Sequence, residues 1–292
     1  MAVFLTGGSG YIGRSVVSAL VRGGFDVAAL ARSEASAAAV TGLGAVAVAG
    51  DLTDTRVLRK AAAAAEGVIH LGAHAGPDAP AIDLAAARAM QEGLGDRGTY
   101  VHTSGAWVLG DTDGVADEDA PQSPPRITAW RAENERQVLS AAERGGRPVL
   151  LMAGLVYGGA GQLTRMFFTD PGRANGAVPL IGDGSNHWSV VHVDDLADLY
   201  VRALNGTPGS TYLGVDDQHP TLAEAAQALS QAAGCPGQFD RLTLEQALER
   251  MGPIAEAFAL DQRITGAKAR RDLGWNPTHL DVLADLARET AG

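Results

Sequence analysis

The sequence predicts an α/β fold: a doubly wound parallel sheet with a small, discontinuous C-terminal substrate lobe. Three observations predict it. Short apolar runs alternate with longer helical segments from the N-terminus to Met152. The runs lack strict apolar–polar alternation, so they read as strands covered on both faces, as parallel strands are. After Met152 the rhythm breaks, and residues 158–187 are rich in Gly, Pro and polar side chains.

The elements follow in order. Val3-Phe4-Leu5-Thr6 is the first short apolar run, and a helix is expected over 12–22 after a glycine-rich turn. Strands are expected over 27–31 and 45–49. The helix over 53–66 is rich in alanine and has Asp51 or Thr53 to cap it. A strand over 68–71, a helix over 81–94, a strand over 99–103, a helix over 128–144 and a strand over 148–152 complete the alternation. Right-handed crossovers then wind helices onto both faces of the sheet. Beyond the break, residues 190–204 return to a strand-like start and a helix, and 211–215 read as a strand. Helices are expected over 222–233 and 244–251. The tail 266–292 holds a short basic helix, the turn Gly274-Trp275-Asn276-Pro277 and a last helix. The expected domains are 1–157 with 188–217 for the sheet, and 158–187 with 218–292 for the lobe.

Composition narrows the function classes. At 292 residues the chain can bury an ordinary core without staples. Hydrophobic residues at 46% and charged ones at 20% are globular values, which argues against disorder. The net charge of -11, from 23 Lys+Arg against 34 Asp+Glu, repels nucleic acid and anionic membranes. Cys235 is the only cysteine, so no intrachain disulfide forms, which fits a reducing compartment. No signal-peptide pattern and no run of about 18 apolar residues occurs, so a soluble cytoplasmic protein is expected.

The sharpest motif is Thr6-Gly7-Gly8-Ser9-Gly10-Tyr11-Ile12-Gly13, between the first strand and first helix. It satisfies the dinucleotide-binding (Rossmann) spacing through Gly8, Gly10 and Gly13, and the related spacing through Gly7, Gly10 and Gly13. Early glycines permit a tight turn and close approach to a pyrophosphate, and Gly13 lets the helix pack onto the strand. The helix N-terminus supplies N–H groups and positive potential. At the end of the second strand an NAD enzyme presents an acid to the ribose. This chain has Leu30-Ala31-Arg32-Ser33 instead. The Arg32 fork suits a 2′-phosphate, so NADP(H) is expected over NAD(H).

Further motifs carry a resemblance. Gly50-Asp51-Leu52, His70-Leu71-Gly72-Ala73, His102-Thr103-Ser104-Gly105 and Gly154-Leu155-Val156-Tyr157-Gly158 occur in order. Val191-His192-Val193-Asp194-Asp195-Leu196-Ala197 and Leu273-Gly274-Trp275-Asn276-Pro277 follow. The set resembles an extended or atypical short-chain dehydrogenase/reductase of the NAD-dependent epimerase/dehydratase-like group, over nearly the whole chain. The resemblance implies that Asp51 contacts the adenine amino group and Leu52 packs beside the ring. It implies that Leu71, Gly72 and Ala73 line the adenosine and pyrophosphate, and that Gly154, Leu155 and Val156 lie near the nicotinamide. Cofactor contacts are further expected from Tyr11, Ile12, Ser33, Ser104 and Arg131.

One family feature is missing. The family's acid–base pair is Tyr-x-x-x-Lys on one helical turn. Here the lysines are Lys60 and Lys268 only, and none lies four residues after Tyr11, Tyr100, Tyr157, Tyr200 or Tyr212. Two registers place other residues there: Ile127 with Arg131, and Glu135 where the family often has an acid; or Trp130 with Asn134. The first preserves a cation for ribose hydroxyls, although arginine cannot shuttle protons. Catalytic candidates are therefore Ser104, which by resemblance bonds the substrate oxygen, with Thr103 as runner-up; Arg131; Tyr157; and His187, since imidazole suits acid–base work. His70, His102 and His192 read as structural. His70, His74 and His102 show no metal-ligand spacing, so no metal is expected. The acids between Asp111 and Asp119 read as a solvated loop.

The resulting expectation is an NADP(H)-dependent oxidoreductase acting on a small carbonyl, imine or activated alkene. An epimerase or dehydratase of the same group, and a non-catalytic dinucleotide-binding regulator, are the alternatives. A homodimer through the helices at 81–94 and 128–144 is expected, as in family members.

Overall fold

The computed structural model describes residues 1–159 and 161–288. Seven parallel strands form the main sheet: β1 (Ala2–Thr6), β2 (Asp26–Ala31), β3 (Val46–Ala49), β4 (Gly67–His70), β5 (Thr99–Gly105), β6 (Pro148–Ala153) and β7 (Thr211–Gly214). Their order across the sheet is β7-β6-β5-β4-β1-β2-β3. The order reverses beside β1, so the carboxyl ends of β1 and β4 flank a crevice, where open α/β sheets bind ligands.

The helices of the first half are α1 (Tyr11–Arg22), α2 (Glu34–Thr41), α3 (Thr55–Ala63), α4 (Ala79–Leu94) and α5 (Arg131–Leu139). Two expectations are corrected here. The cap of α3 is neither Asp51 nor Thr53 but Asp54, whose carboxylate accepts the Val57 N–H at 3.1 Å. The helix expected over 128–144 begins at Arg131 and tightens into a 3-10 turn over Ser140–Arg144. Residues 128–130 instead close i→i+3 turns, the Thr128 N–H donating to the Pro125 carbonyl at 3.0 Å and the Arg131 N–H to the Thr128 carbonyl at 2.9 Å.

The sheet core joins Val3, Leu5, Val16, Leu20, Val101, Leu151 and Leu199. Trp275 belongs to it, 1% exposed, with its indole N–H donated to the Asp195 carbonyl at 2.9 Å. A second apolar cluster gathers Tyr157, Phe168, Val178, Trp188, Leu222, Leu229 and Phe258. Two parallel strand pairs serve it: Leu155–Tyr157 with Val190–His192, and Val178–Ile181 with Phe239–Leu242. Residues 160 and 289–292, which the expected lobe includes, lie outside the described residues. No helix among the described residues is long and apolar enough to cross a membrane.

Candidate active site

The loop after β1 is shaped by steric demands that only glycine meets. Gly7 has φ +75°, and a Cβ there would lie 2.7 Å from the Gly72 nitrogen. A Cβ on Gly13 would lie 2.0 Å from the Gly7 carbonyl oxygen. The Gly10 N–H closes the turn onto that oxygen at 3.0 Å. Among the described residues no side chain caps α1, and its first turn has no acid. Its leading N–H groups and the positive end of its dipole therefore face an open cleft. The opposite wall is Leu71, Gly72 and Ala73, fixed by the Gly72 N–H donating to Thr6 Oγ1 at 3.0 Å. The cleft between them has a volume of about 530 Å³.

At its outer end Arg32 is exposed, with no hydrogen bond or ion pair among the described residues. Ser33 caps α2, exchanging hydrogen bonds with Ser36, and Ser36 lines the cleft. Asp51 accepts from Thr53 twice through one oxygen, N–H at 2.7 Å and hydroxyl at 2.6 Å. The Thr53 hydroxyl above all, then its N–H, holds the Asp51 carboxyl below the usual range.

At the inner end, β5 alternates its side chains. Thr103 lines the cleft, and its oxygen accepts the Tyr200 hydroxyl at 2.9 Å. Ser104 points away and donates to the buried Glu135, which Gln122 also contacts at 3.4 Å. Burial raises the Glu135 carboxyl. Arg131 donates to the Thr103 carbonyl at 3.4 Å and lies over the Trp130 ring. Ile127 is 36% exposed, and Asn134 is committed to α4 through the Pro80 carbonyl and Asp83. Tyr157 is buried, donating to the His279 carbonyl at 2.9 Å, and burial raises its hydroxyl far above the usual range. His187 pairs with Asp261 at 2.8 Å.

The profile of the NAD dependent epimerase/dehydratase family matches residues 3–212. The chain belongs to that family. An uncharacterised protein of Schizosaccharomyces pombe is 30% identical over 99% of both chains. The 2-alkyl-3-oxoalkanoate reductase of Stenotrophomonas maltophilia is 27% identical, over 88% of this chain and 82% of that one. Among solved structures, the UDP-glucose 4-epimerase of Thermotoga maritima superposes with a TM-score of 0.81 at 19% identity, over 99% and 97% of the two chains. At that identity the likeness shows the fold. Members of the NAD-dependent epimerase/dehydratase family are NAD(P)-dependent enzymes, and an NAD(P) dinucleotide fits this cleft: glycine-only backbone, an uncapped helix end and a free guanidinium converge there.

The cleft brings together Gly7, Gly10, Tyr11, Ile12, Gly13, Arg32, Asp51, Leu52, Leu71, Gly72 and Ala73. Its lining does not include Ser33, Ser104, Arg131, Gly154, Leu155, Val156, Tyr157 or His187. Gly154 answers to packing, since a Cβ there would lie 2.7 Å from the Ser189 carbonyl. The sequence reading missed Ser9, Leu30, Ser36, Gly50, Thr53, His74 and Gln162 as lining residues. Ser36 was findable, because Ser33 and Ser36 stand at capping-box spacing. Gln162 comes from a distant segment and has no local signal.

Proposed function

We propose that the protein is an NADP(H)-dependent reductase of a small carbonyl compound. The observation that carries this is Arg32, an unpaired guanidinium at the tip of β2 where an NAD enzyme would place an acid. In this reading the α1 N-terminus and Gly7, Gly10 and Gly13 hold the pyrophosphate, Asp51 and Leu52 the adenine, and Arg32 with Ser36 the 2′-phosphate. The reductase relative, whose name specifies an oxoalkanoate, supports a keto substrate over an alkene.

A bound reduced nicotinamide supplies a hydride to the carbonyl carbon; the chain's residues must orient the carbonyl and meet the charge on its oxygen. Ser104 donates its hydroxyl hydrogen bond to Glu135 and so secures α5 against β5. Thr103 is the better donor. Tyr200 fills an acceptor position on its oxygen, which leaves the Thr103 O–H to point into the cleft. A neutral hydroxyl stabilises a developing oxyanion by hydrogen bonding, and solvent completes the protonation. Arg131, beside Thr103, adds positive potential on the same edge. Thr103→Val should leave dinucleotide binding intact and lower turnover about 10–1000-fold.

Loss of reduced-nicotinamide absorbance across a panel of small ketones tests the activity, and equal rates with and without every panel member would reject it. For the cofactor, NADPH should bind about 10–100-fold more tightly than NADH, and Arg32→Ala should erase most of that gap. Equal wild-type affinities, measured by calorimetry, would reduce Arg32 to a solvated surface residue.

A further inference from the structure

We propose that His70, Asp83 and His102 form a binding site for a divalent transition-metal ion, with zinc as the type. His70 ends β4 and His102 stands beside it on β5 as its register partner, while Asp83 comes from α4. The two histidines are 2% and 1% exposed. His70 Nε2 lies 3.5 Å from one Asp83 oxygen, and His102 Nε2 lies 3.7 Å from the other. These gaps are too long for hydrogen bonds. Among the described residues, the buried His70 Nε2 has no hydrogen-bond partner. The gaps come close to the spacing of donors around a tetrahedral ion, since metal–ligand bonds of about 2.0–2.1 Å place neighbouring donors about 3.3–3.5 Å apart. One donor atom from each of the three residues falls within 4.8 Å of the other two.

The surroundings are those of a ligand set. A metal-binding imidazole anchors its second ring nitrogen on an outer partner, which fixes the tautomer. Here His70 Nδ1 pairs with Thr6 Oγ1 at 2.6 Å, and His102 Nδ1 with the Tyr100 hydroxyl at 3.0 Å. With each Nδ1–H donated to a hydroxyl oxygen, both Nε2 lone pairs face Asp83. Asn134 orients the carboxylate by donating to it at 2.9 Å. Two imidazoles and one carboxylate, without a thiolate, select zinc, iron(II), cobalt(II) or nickel(II) over magnesium and calcium. An ion there would staple β4, β5 and α4 behind the cleft wall, because the Thr6 hydroxyl that holds His70 also accepts the Gly72 N–H.

The test uses the full chain, stripped with a chelator and dialysed. Cobalt(II) should bind with one equivalent per chain and give the visible d–d bands of a tetrahedral N,O site, and zinc should displace it. Zinc should raise the Tm of the wild type. Asp83→Asn and His102→Gln should each weaken binding by 10-fold or more, on the scale of losing a first ligand. His279→Gln, which disables a second close group, His192, Asp194 and His279, among the described residues, should leave binding unchanged. Absence of cobalt bands and of any zinc-dependent Tm shift in the wild type overturns the proposal. So does binding that survives Asp83→Asn and His102→Gln, or that His279→Gln removes. The wild-type measurement decides even if a variant fails to fold.

Discussion

Gly13→Ala should abolish measurable dinucleotide binding and destabilise the fold by about 1–3 kcal/mol, the usual cost of overpacking a tight contact. The added methyl would sit 2.0 Å from the Gly7 oxygen, 2.8 Å from the Gly7 carbonyl carbon and 2.9 Å from Gly8 Cα. All three are backbone atoms, so no side chain can swing aside. Either α1 lifts from β1 or the loop moves, and the loop is the cradle. Gly24→Ala is the control for destabilisation alone. Its φ of +77° disfavours alanine, yet among the described residues no atom beyond its own chain neighbours lies within 4 Å of the new methyl, and the residue is outside the cleft. Calorimetric titration with NADPH together with urea unfolding separates the two effects. A Gly13→Ala protein that binds NADPH within threefold of wild type would disprove the assigned role of this loop.

The second large effect is on stability against pH. Asp216 is 3% exposed, and burial pushes its carboxyl from 3.8 up to about 7, aided by the charges of Asp195 and Asp217. The Gln218 N–H at 2.8 Å and the Tyr157 hydroxyl at 3.5 Å oppose this without offsetting it. A folded-state value above the unfolded one means the folded protein holds the proton more tightly. The stabilisation is therefore complete below pH 3.8 and disappears as pH rises through about 7. The span corresponds to about 4 kcal/mol at most. Between pH 5 and pH 8 the wild type should lose stability. Asp216→Asn, neutral throughout, should remove most of the slope and be the more stable protein at pH 8. Urea midpoints across that range measure it, and parallel wild-type and variant profiles would refute the assignment.

The sheet was legible because its physics is local. An apolar run between Gly-rich turns has one good solution, and the loop from Thr6 to Gly13 writes its backbone demands into consecutive residues. Arg32 was readable for the same reason, as a residue at a fixed offset from a strand end. What failed to show was whatever depends on partners distant in sequence. Ser104 reads as free to meet a substrate, but its hydroxyl is donated to Glu135 on α5. Tyr157 and His187 are spent on His279 and Asp261, more than seventy positions away. His70, Asp83 and His102 have no ligand spacing along the chain and meet only because β4 and β5 are neighbours with α4 packed over them. The short pairing of Val178–Ile181 with Phe239–Leu242 is equally non-local, and a Gly- and Pro-rich stretch hid its first strand.

The burial of Trp275 in the sheet core has a consequence for biosynthesis. The strands it packs behind are all translated before it, the last of them ending at Gly214. Until the ribosome delivers Trp275, the emerging chain carries a gap the size of an indole, on the order of 3–5 kcal/mol of missing packing. The nascent protein thus gains this packing only after Trp275 has emerged, later than every strand of the sheet. A truncated message that stops short of this residue yields a polypeptide that holds all seven strands yet that quality-control proteases can still open.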